Sequence, residues 1–266
     1  MSTASAPIKN IDLNCDMGES YGRWNLGADE EIMPLITSAN IACGFHGGDP
    51  HVMRRTVELA MHHNVAVGSH PSLPDLLGFG RRSMDVSAAE LKDYICYQTG
   101  ALREFVRVRG GDLQHMKPHG ILYSMMESAP PLAVAAGEAV RDSGAQELIL
   151  VALAGGQCER VCRANGVRVA AEGFADRAYN NDGTLVSRKH PGSLIDDPML
   201  AASQAVRMAI EGRVQTIDGS TIPLDVQTIC CHGDTPGAAH IVRAVREGLE
   251  NAGCVVRALR DWLPRR

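Results

Sequence analysis

The chain has 266 residues and a formal net charge of −5, from 26 Lys and Arg against 31 Asp and Glu, with 45% hydrophobic and 21% charged residues. That is the composition of a globular chain with material for a sizeable core, and it excludes a disordered tract, a collagen-like repeat and a disulfide-stapled miniprotein. A dedicated nucleic-acid binder would need a basic face to neutralise phosphates, whereas Lys and Arg here cluster no further than pairs such as Arg54-Arg55 and Arg81-Arg82.

Aromatic residues make up only 4%, so the core must be built from Val, Ile, Leu, Ala and Met, while Gly (27), Pro (13) and His (10) are plentiful. No apolar stretch approaches the ~18–20 residues of a membrane span, and the start is too polar for a signal peptide. Residues 1–10 are expected to form a flexible tail, residues 11–266 one catalytic barrel domain, and the chain to reside in the cytoplasm. The cysteines at 15, 43, 96, 158, 162, 230, 231 and 254 form no C-x-x-C and are read as small buried thiols in a reducing compartment.

In chain order, short apolar runs predict strands at 11–15, 38–43, 65–69, 113–116, 147–153, 167–173 and 228–231. Asp49-Pro50 is an N-cap followed by a first-turn proline, and opens a helix that stops near Asn64. Ser87-Ala-Ala-Glu90 is a capping box, Asp197-Pro198 opens a helix closed by Gly212, and Pro236-Gly237 leads into a last helix ending at Gly253. Strands alternating with helices imply parallel β-α units with right-handed crossovers, hence an irregular (β/α) barrel or an open doubly wound sheet. The absence of G-x-G-x-x-G after the first strand favours the seven-stranded α/β barrel.

Ligands in such folds bind beyond the carboxyl ends of the strands, and six of the seven predicted strands lead there into polar clusters. These are Asp16-Met-Gly-Glu19, Gly44-Phe-His46-Gly-Gly-Asp49, His70-Pro-Ser-Leu-Pro-Asp75, Lys117-Pro-His119, Phe174-Ala-Asp176-Arg177 and His232-Gly-Asp234. Each has a plain structural reading: Asp49 and Asp234 suit helix caps, and a lone histidine after a strand is more often structural than catalytic. Half of the histidines (46, 70, 119, 190 and 232) nevertheless fall in such loops, and a convergence of reactive groups on one barrel mouth marks an enzyme site. The glycine-rich segments at 44–48 and 78–82, the latter carrying Arg81 and Arg82, could turn backbone amides toward an anion, although no P-loop is present. Asp16, His46 and His70 could also supply one carboxylate and two imidazoles to a catalytic metal.

The segments IDLNCDMGESYGRW, SANIACGFHGGDP, VGSHPSLPDLLGFGRRSM, YQTGAL, MKPHGILY, EGFADRAYNNDGTLVSR and CCHGDTP, in this order, resemble the LamB/YcsF family from about Ile11 to Gly253. Departures are small: Gly47-Gly48 stands where many members have Ala-Gly, and Ser69-His70-Pro71-Ser72 where Ala-His-Pro-Gly is common. Neither removes a reactive side chain. The resemblance implies an irregular seven-stranded barrel like those of the glycoside hydrolase/deacetylase group. It also implies a cytosolic component that, with partner subunits B and C, opens 5-oxoproline to L-glutamate while hydrolysing ATP.

On that reading, phosphorylating the lactam oxygen would make the ring carbon electrophilic before water adds. Lys117, Arg81 and Arg82 are then candidates to stabilise the phosphoryl group with Mg²⁺, which Asp16 or Glu19 would hold. His46, His70 and His119 are candidate general acids and bases, Asp234 would orient His232 or activate water, and Arg177, near Asp176, would pair with the substrate carboxylate. The alternative is a metal-dependent amide or N-acetyl hydrolase built on Asp16, His46 and His70 that needs no ATP.

Overall fold

Seven parallel strands close on themselves in the computed structural model, which describes residues 9–143, 147–233 and 237–265. In chain order the elements are β1 (Asn10–Met17), α1 (Asp29–Ile32), β2 (Ser38–Ala42), α2 (Pro50–His62), β3 (Ala66–His70), α3 (Ala88–Arg107) and β4 (His115–Met116). There follow α4 (Gly120–Ser128), α5 (Pro130–Asp142), β5 (Ile149–Leu153), α6 (Gln157–Ala164), β6 (Val169–Phe174) and α7 (Pro198–Val206). The last are β7 (Arg213–Gln215), β8 (Thr221–Pro223), β9 (Thr228–Cys231), α8 (Ala238–Asn251) and β10 (Val255–Val256).

Strands β1 to β6 pair in sequence order, and β9 pairs with both β6 and β1, which closes the barrel. All seven predicted strands are present, the fourth shortened to two residues. The antiparallel hairpin β7–β8 and the short β10, which pairs with the start of β1, were not anticipated. The hairpin did leave a trace, because Asp218-Gly219 is a turn signal between residues of high β propensity. Its three-residue arms are too short to show alternation.

The helix caps follow the sequence closely. Asp49 Oδ1 accepts the backbone N–H groups of His51 and Val52, and Ser87 and Glu90 exchange both bonds of the capping box. Asp197 caps α7, which then widens into a π turn at Arg207–Glu211 before Gly212 (φ 63°) ends it. Asp234 and Pro236 lie outside the described residues; Gly237 precedes α8 with φ 80°.

Strand alternation produces two different environments. The outward residues of β1, namely Ile11, Leu13, Cys15 and Met17, are fully buried beneath the helices in the main apolar core. Its inward residues are Asp12, Asn14 and Asp16, met inside the barrel by Ser38, Asn40, Glu172, Thr228 and Lys117. The interior of a (β/α) barrel is ordinarily filled by branched apolar side chains; here those line only part of it, where Leu259 and Leu263 pack against Ile149, Val151 and Ala170. A polar interior is tolerated because its groups are hydrogen-bonded to one another. Asp12, for example, accepts from Thr37, Ser38 and Thr228, and burial still pushes its carboxyl up to about 6.

One glycine makes room for this interior. The ring of His115 occupies the space that a Cβ on Gly68 would fill, 2.1 Å from the imidazole Nε2. His115 Nε2 contacts Asn40 Oδ1 at 2.6 Å, which ties the ring into the polar layer. Gly68→Ala should therefore overpack the barrel and cost about 2–3 kcal/mol, lowering the thermal midpoint by roughly 4–12 °C. A midpoint within a degree of the parent in a calorimetric scan would mean that His115 moves aside freely.

Candidate active site

The floor of the site is built by alternation along the strands. Asp16, His70 and Lys117 project from the carboxyl ends of β1, β3 and β4, with Glu172 from β6 and Cys230 from β9 below them. Lys117 is the hub: its Nζ lies 3.1 Å from Asp16 Oδ1, 2.9 Å from Glu172 Oε1, 3.2 Å from Asn14 Oδ1 and 3.0 Å from Cys230 Sγ. Burial opposes charge on this lysine, yet Asp16 and Glu172 hold its ammonium well above the ordinary range. Burial likewise opposes charge on Asp16, but His70 and Lys117 keep its carboxyl well below the usual carboxylate range. Asn40 Nδ2 donates to Asp16 Oδ1 at 2.9 Å and completes its support.

On one side of Asp16 stand four residues from the ends of β1 to β4. His70 Nε2 is 3.3 Å from Asp16 Oδ1 and 3.0 Å from His119 Nδ1. His46 stacks on His119 with ring centroids 3.7 Å apart and planes 3° from parallel, and its Nε2 is 3.3 Å from Glu19 Oε1. Burial, aided by the neighbouring imidazoles, pushes both His46 and His119 well below the ordinary histidine value. The loops after β1 and β2 meet closely enough to bring Glu19 to His46 because Gly48 (φ 79°) has no Cβ; one built there would lie 2.6 Å from the Ala42 carbonyl oxygen and 2.8 Å from that of Gly18.

Across the floor, His232 Nδ1 lies 2.9 Å from Asp176 Oδ2, and the His232 backbone N–H donates to the same oxygen at 2.8 Å. A buried carboxylate held this way fixes one tautomer and one orientation of the imidazole. Asp176 is kept ionised against its own burial by His232 and its hydrogen bonds.

Above this floor opens a cavity of about 590 Å³ whose lining includes Asp16, His70, Lys117, His119, Tyr123, Phe174 and His232. Its wall carries Arg81, Arg177, Arg188 and Lys189. Arg177 is pinned by Nη2–H donation to the Val186 carbonyl at 2.7 Å, and burial together with Arg188 pushes its guanidinium down to about 10. Among the described lining residues Asp16 carries the one carboxylate. The cavity therefore suits an anionic ligand, with polar chemistry confined to its floor.

The structure brings most of the predicted site residues together and sets others apart. Asp16, His70, Arg81, Lys117, His119, Arg177 and His232 line the cavity, while Glu19, His46 and Asp176 lie against those residues. Arg82 turns instead to the buried Asp75, which it grips through its guanidinium. His190 is exposed and does not line the cavity, and Asp234 lies outside the described residues.

Several amides of the glycine-rich segments are already committed within the protein. Gly44 and Gly48 donate to the Gly47 and Ser20 carbonyls, Gly80 to the Asp75 carbonyl, and Gly78 and Arg82 to the Asp75 carboxylate. Sequence reasoning missed Glu172, Asn14, Arg188 and Lys189. Glu172 had a visible signal, a lone acid within the apolar run Val169-Ala-Ala-Glu-Gly-Phe174. Arg188 and Lys189 reach the site through a long loop whose path no local pattern reveals.

Known proteins resemble this chain over nearly its whole length. The A component of the Pyrococcus furiosus 5-oxoprolinase is 50% identical over 253 residues, covering 95% of this chain and 99% of that protein. Its counterpart from Symbiobacterium thermophilum is 50% identical over 258 residues, 97% of this chain and 98% of its own. The crystal structure of a lactam utilization protein from Thermus thermophilus superposes with a TM-score of 0.89 at 47% identity, covering 94% of this chain and 99% of that one. A family 4 carbohydrate esterase from Streptomyces lividans, at 11% identity and a TM-score of 0.52 over 94% of this chain and 93% of that one, shares the fold alone. The model of the LamB/YcsF family matches residues 11–263, and the chain belongs to that family.

Proposed function

We propose that this chain is the A component of a 5-oxoprolinase, acting with subunits B and C to open the lactam of 5-oxoproline to L-glutamate with hydrolysis of ATP to ADP and phosphate, in the cytoplasm. The observation that carries this reading is the combination of a cationic wall with the ionised Asp16, the one carboxylate among the described residues that line the cavity. Relatives at half identity over nearly the whole chain are named for that activity.

A five-membered lactam is resonance-stabilised and recloses intramolecularly, so opening it near neutral pH needs both activation and a thermodynamic pull. ATP supplies each when its γ-phosphoryl passes to the lactam oxygen. In this account Arg81, Arg188 and Lys189 bind phosphate oxygens, and Arg177 pairs with the substrate carboxylate. Lys117 keeps Asp16 ionised and aimed, and Asp16 takes the proton of the attacking water. His232, oriented by Asp176, returns a proton to the lactam nitrogen as the C–N bond breaks, and a second water hydrolyses the γ-glutamyl phosphate so formed to L-glutamate and phosphate. Asp16 is already paired with Lys117 and His70, so the described cavity residues do not form a dedicated Mg²⁺ site; Mg²⁺ would arrive on the nucleotide, and no step here depends on it.

The ATP-independent alternative, with a metal on Asp16, His46 and His70, fits less well because the Lys117 ammonium already lies against Asp16.

Asp16→Asn, assayed for glutamate formation in the reconstituted complex, should lower kcat by at least about 100-fold, and omitting ATP should abolish turnover by the parent. Glutamate formation without ATP would overturn the reading. Arg188→Ala should raise the KM for ATP about tenfold, a loss of roughly 1.4 kcal/mol of binding, with kcat close to that of the parent. An unchanged KM would remove Arg188 from the phosphate site.

A further inference from the structure

The cluster beside Asp16 poses a hydrogen-bonding problem that the proposed reaction does not solve. His70 Nδ1 lies 2.7 Å from the Lys117 carbonyl oxygen, and His119 Nε2 lies 2.9 Å from that of Phe79. A carbonyl can only accept, so each of these nitrogens carries the ring proton. In the neutral rings the other nitrogens, His70 Nε2 and His119 Nδ1, are both lone-pair acceptors, yet they face each other at 3.0 Å. Glu19 Oε1 adds a further acceptor 3.5 Å from His119 Nδ1 and 3.3 Å from His46 Nε2. Neither ring nitrogen of the fully buried His46 has a hydrogen-bonding partner. The facing nitrogens of His70 and His119, beside an imidazole of His46 with neither nitrogen bonded, are costly to bury unless a cation lies among them.

The geometry points to a divalent metal site formed by Glu19, His46, His70 and His119, of the class that takes Zn²⁺. Metal–ligand bonds of ~2.0–2.1 Å at tetrahedral angles leave ligand atoms about 3.3–3.4 Å apart, close to the 3.0, 3.3 and 3.5 Å separations between these atoms. Two of the three imidazoles donate their second nitrogen to a backbone carbonyl, the usual outer support of a metal-binding histidine. Three imidazoles and one carboxylate favour a borderline ion such as Zn²⁺ over Mg²⁺. His70 and His119 also line the cavity, which gives an ion a route inward. A second group among the described residues, Asp16, Cys230 and His232, is unsuitable because the Lys117 ammonium touches both Asp16 and Cys230.

The site is independent of whether ATP is used, and it can be tested on the isolated chain without substrate. After EDTA treatment and dialysis, calorimetric titration with Zn²⁺ alone should show about one equivalent bound with a dissociation constant below about 1 μM. Co²⁺ should give the intense visible absorption of a tetrahedral ion. His46→Ala and His119→Ala, checked for folding by circular dichroism, should weaken Zn²⁺ binding by at least about 100-fold, while Cys230→Ser should leave it within about twofold. Absence of Zn²⁺ binding by the folded parent would overturn the proposal and leave a proton shared between His70 and His119. Binding that survives both histidine substitutions, or that is lost in Cys230→Ser, would overturn it equally.

Discussion

Placing one ammonium group inside the barrel determines how the rest of this site is arranged. Lys117 is almost wholly enclosed, and a buried lysine alone would lose its proton. It keeps that proton because Asp16 and Glu172 approach it from β1 and β6, the two strands that flank β9. Each of these carboxylates is itself tied down, Asp16 by Asn40 and Glu172 by Asn14 and Tyr123. Removing any one charge would leave the others uncompensated in a low dielectric, so the network is sensitive as a unit.

That requirement explains why strand alternation here runs contrary to the usual barrel. Apart from the patch of Ile149, Val151 and Ala170, the apolar residues face outward under the helices and the polar ones inward, so the chain keeps a continuous aliphatic core while carrying ionic groups inside the barrel. The small share of aromatics is consistent with this, since narrow aliphatic side chains pack between strands and helices while the centre is filled by hydrogen-bonded polar groups. The cationic wall is a separate layer above these groups. It is contributed by loops, and a mildly acidic chain thereby gathers positive charge on one wall of the cavity.

The fold was largely legible because its signals are local. Asp49, Ser87 and Asp197 cap the helices they open in sequence, and each strand of the barrel is a short apolar run followed by a turn, polar in six cases of seven. The hairpin β7–β8 escaped because its arms are too short for a period to develop. In the candidate site, residues immediately following strands were legible, as with Asp16, His70 and Lys117. Arg82 illustrates the opposite case: adjacent to Arg81 in sequence, it is claimed by Asp75 in space. The glycine segments were legible only in part for a related reason, since composition shows that a loop can expose its amides but not which carbonyls meet them. Glu172 was visible as an anomaly, and only the closure of the barrel shows that it answers the charge of Lys117.

The central claim, that the cationic wall and the Asp16 floor together bind nucleotide and lactam, is tested most directly by a crystal structure with 5-oxoproline and a non-hydrolysable ATP analogue. The account predicts phosphate oxygens against Arg81 and Arg188 and the lactam carbonyl carbon facing Asp16. Nucleotide bound outside this cavity, or a lactam ring out of reach of Asp16, would contradict it.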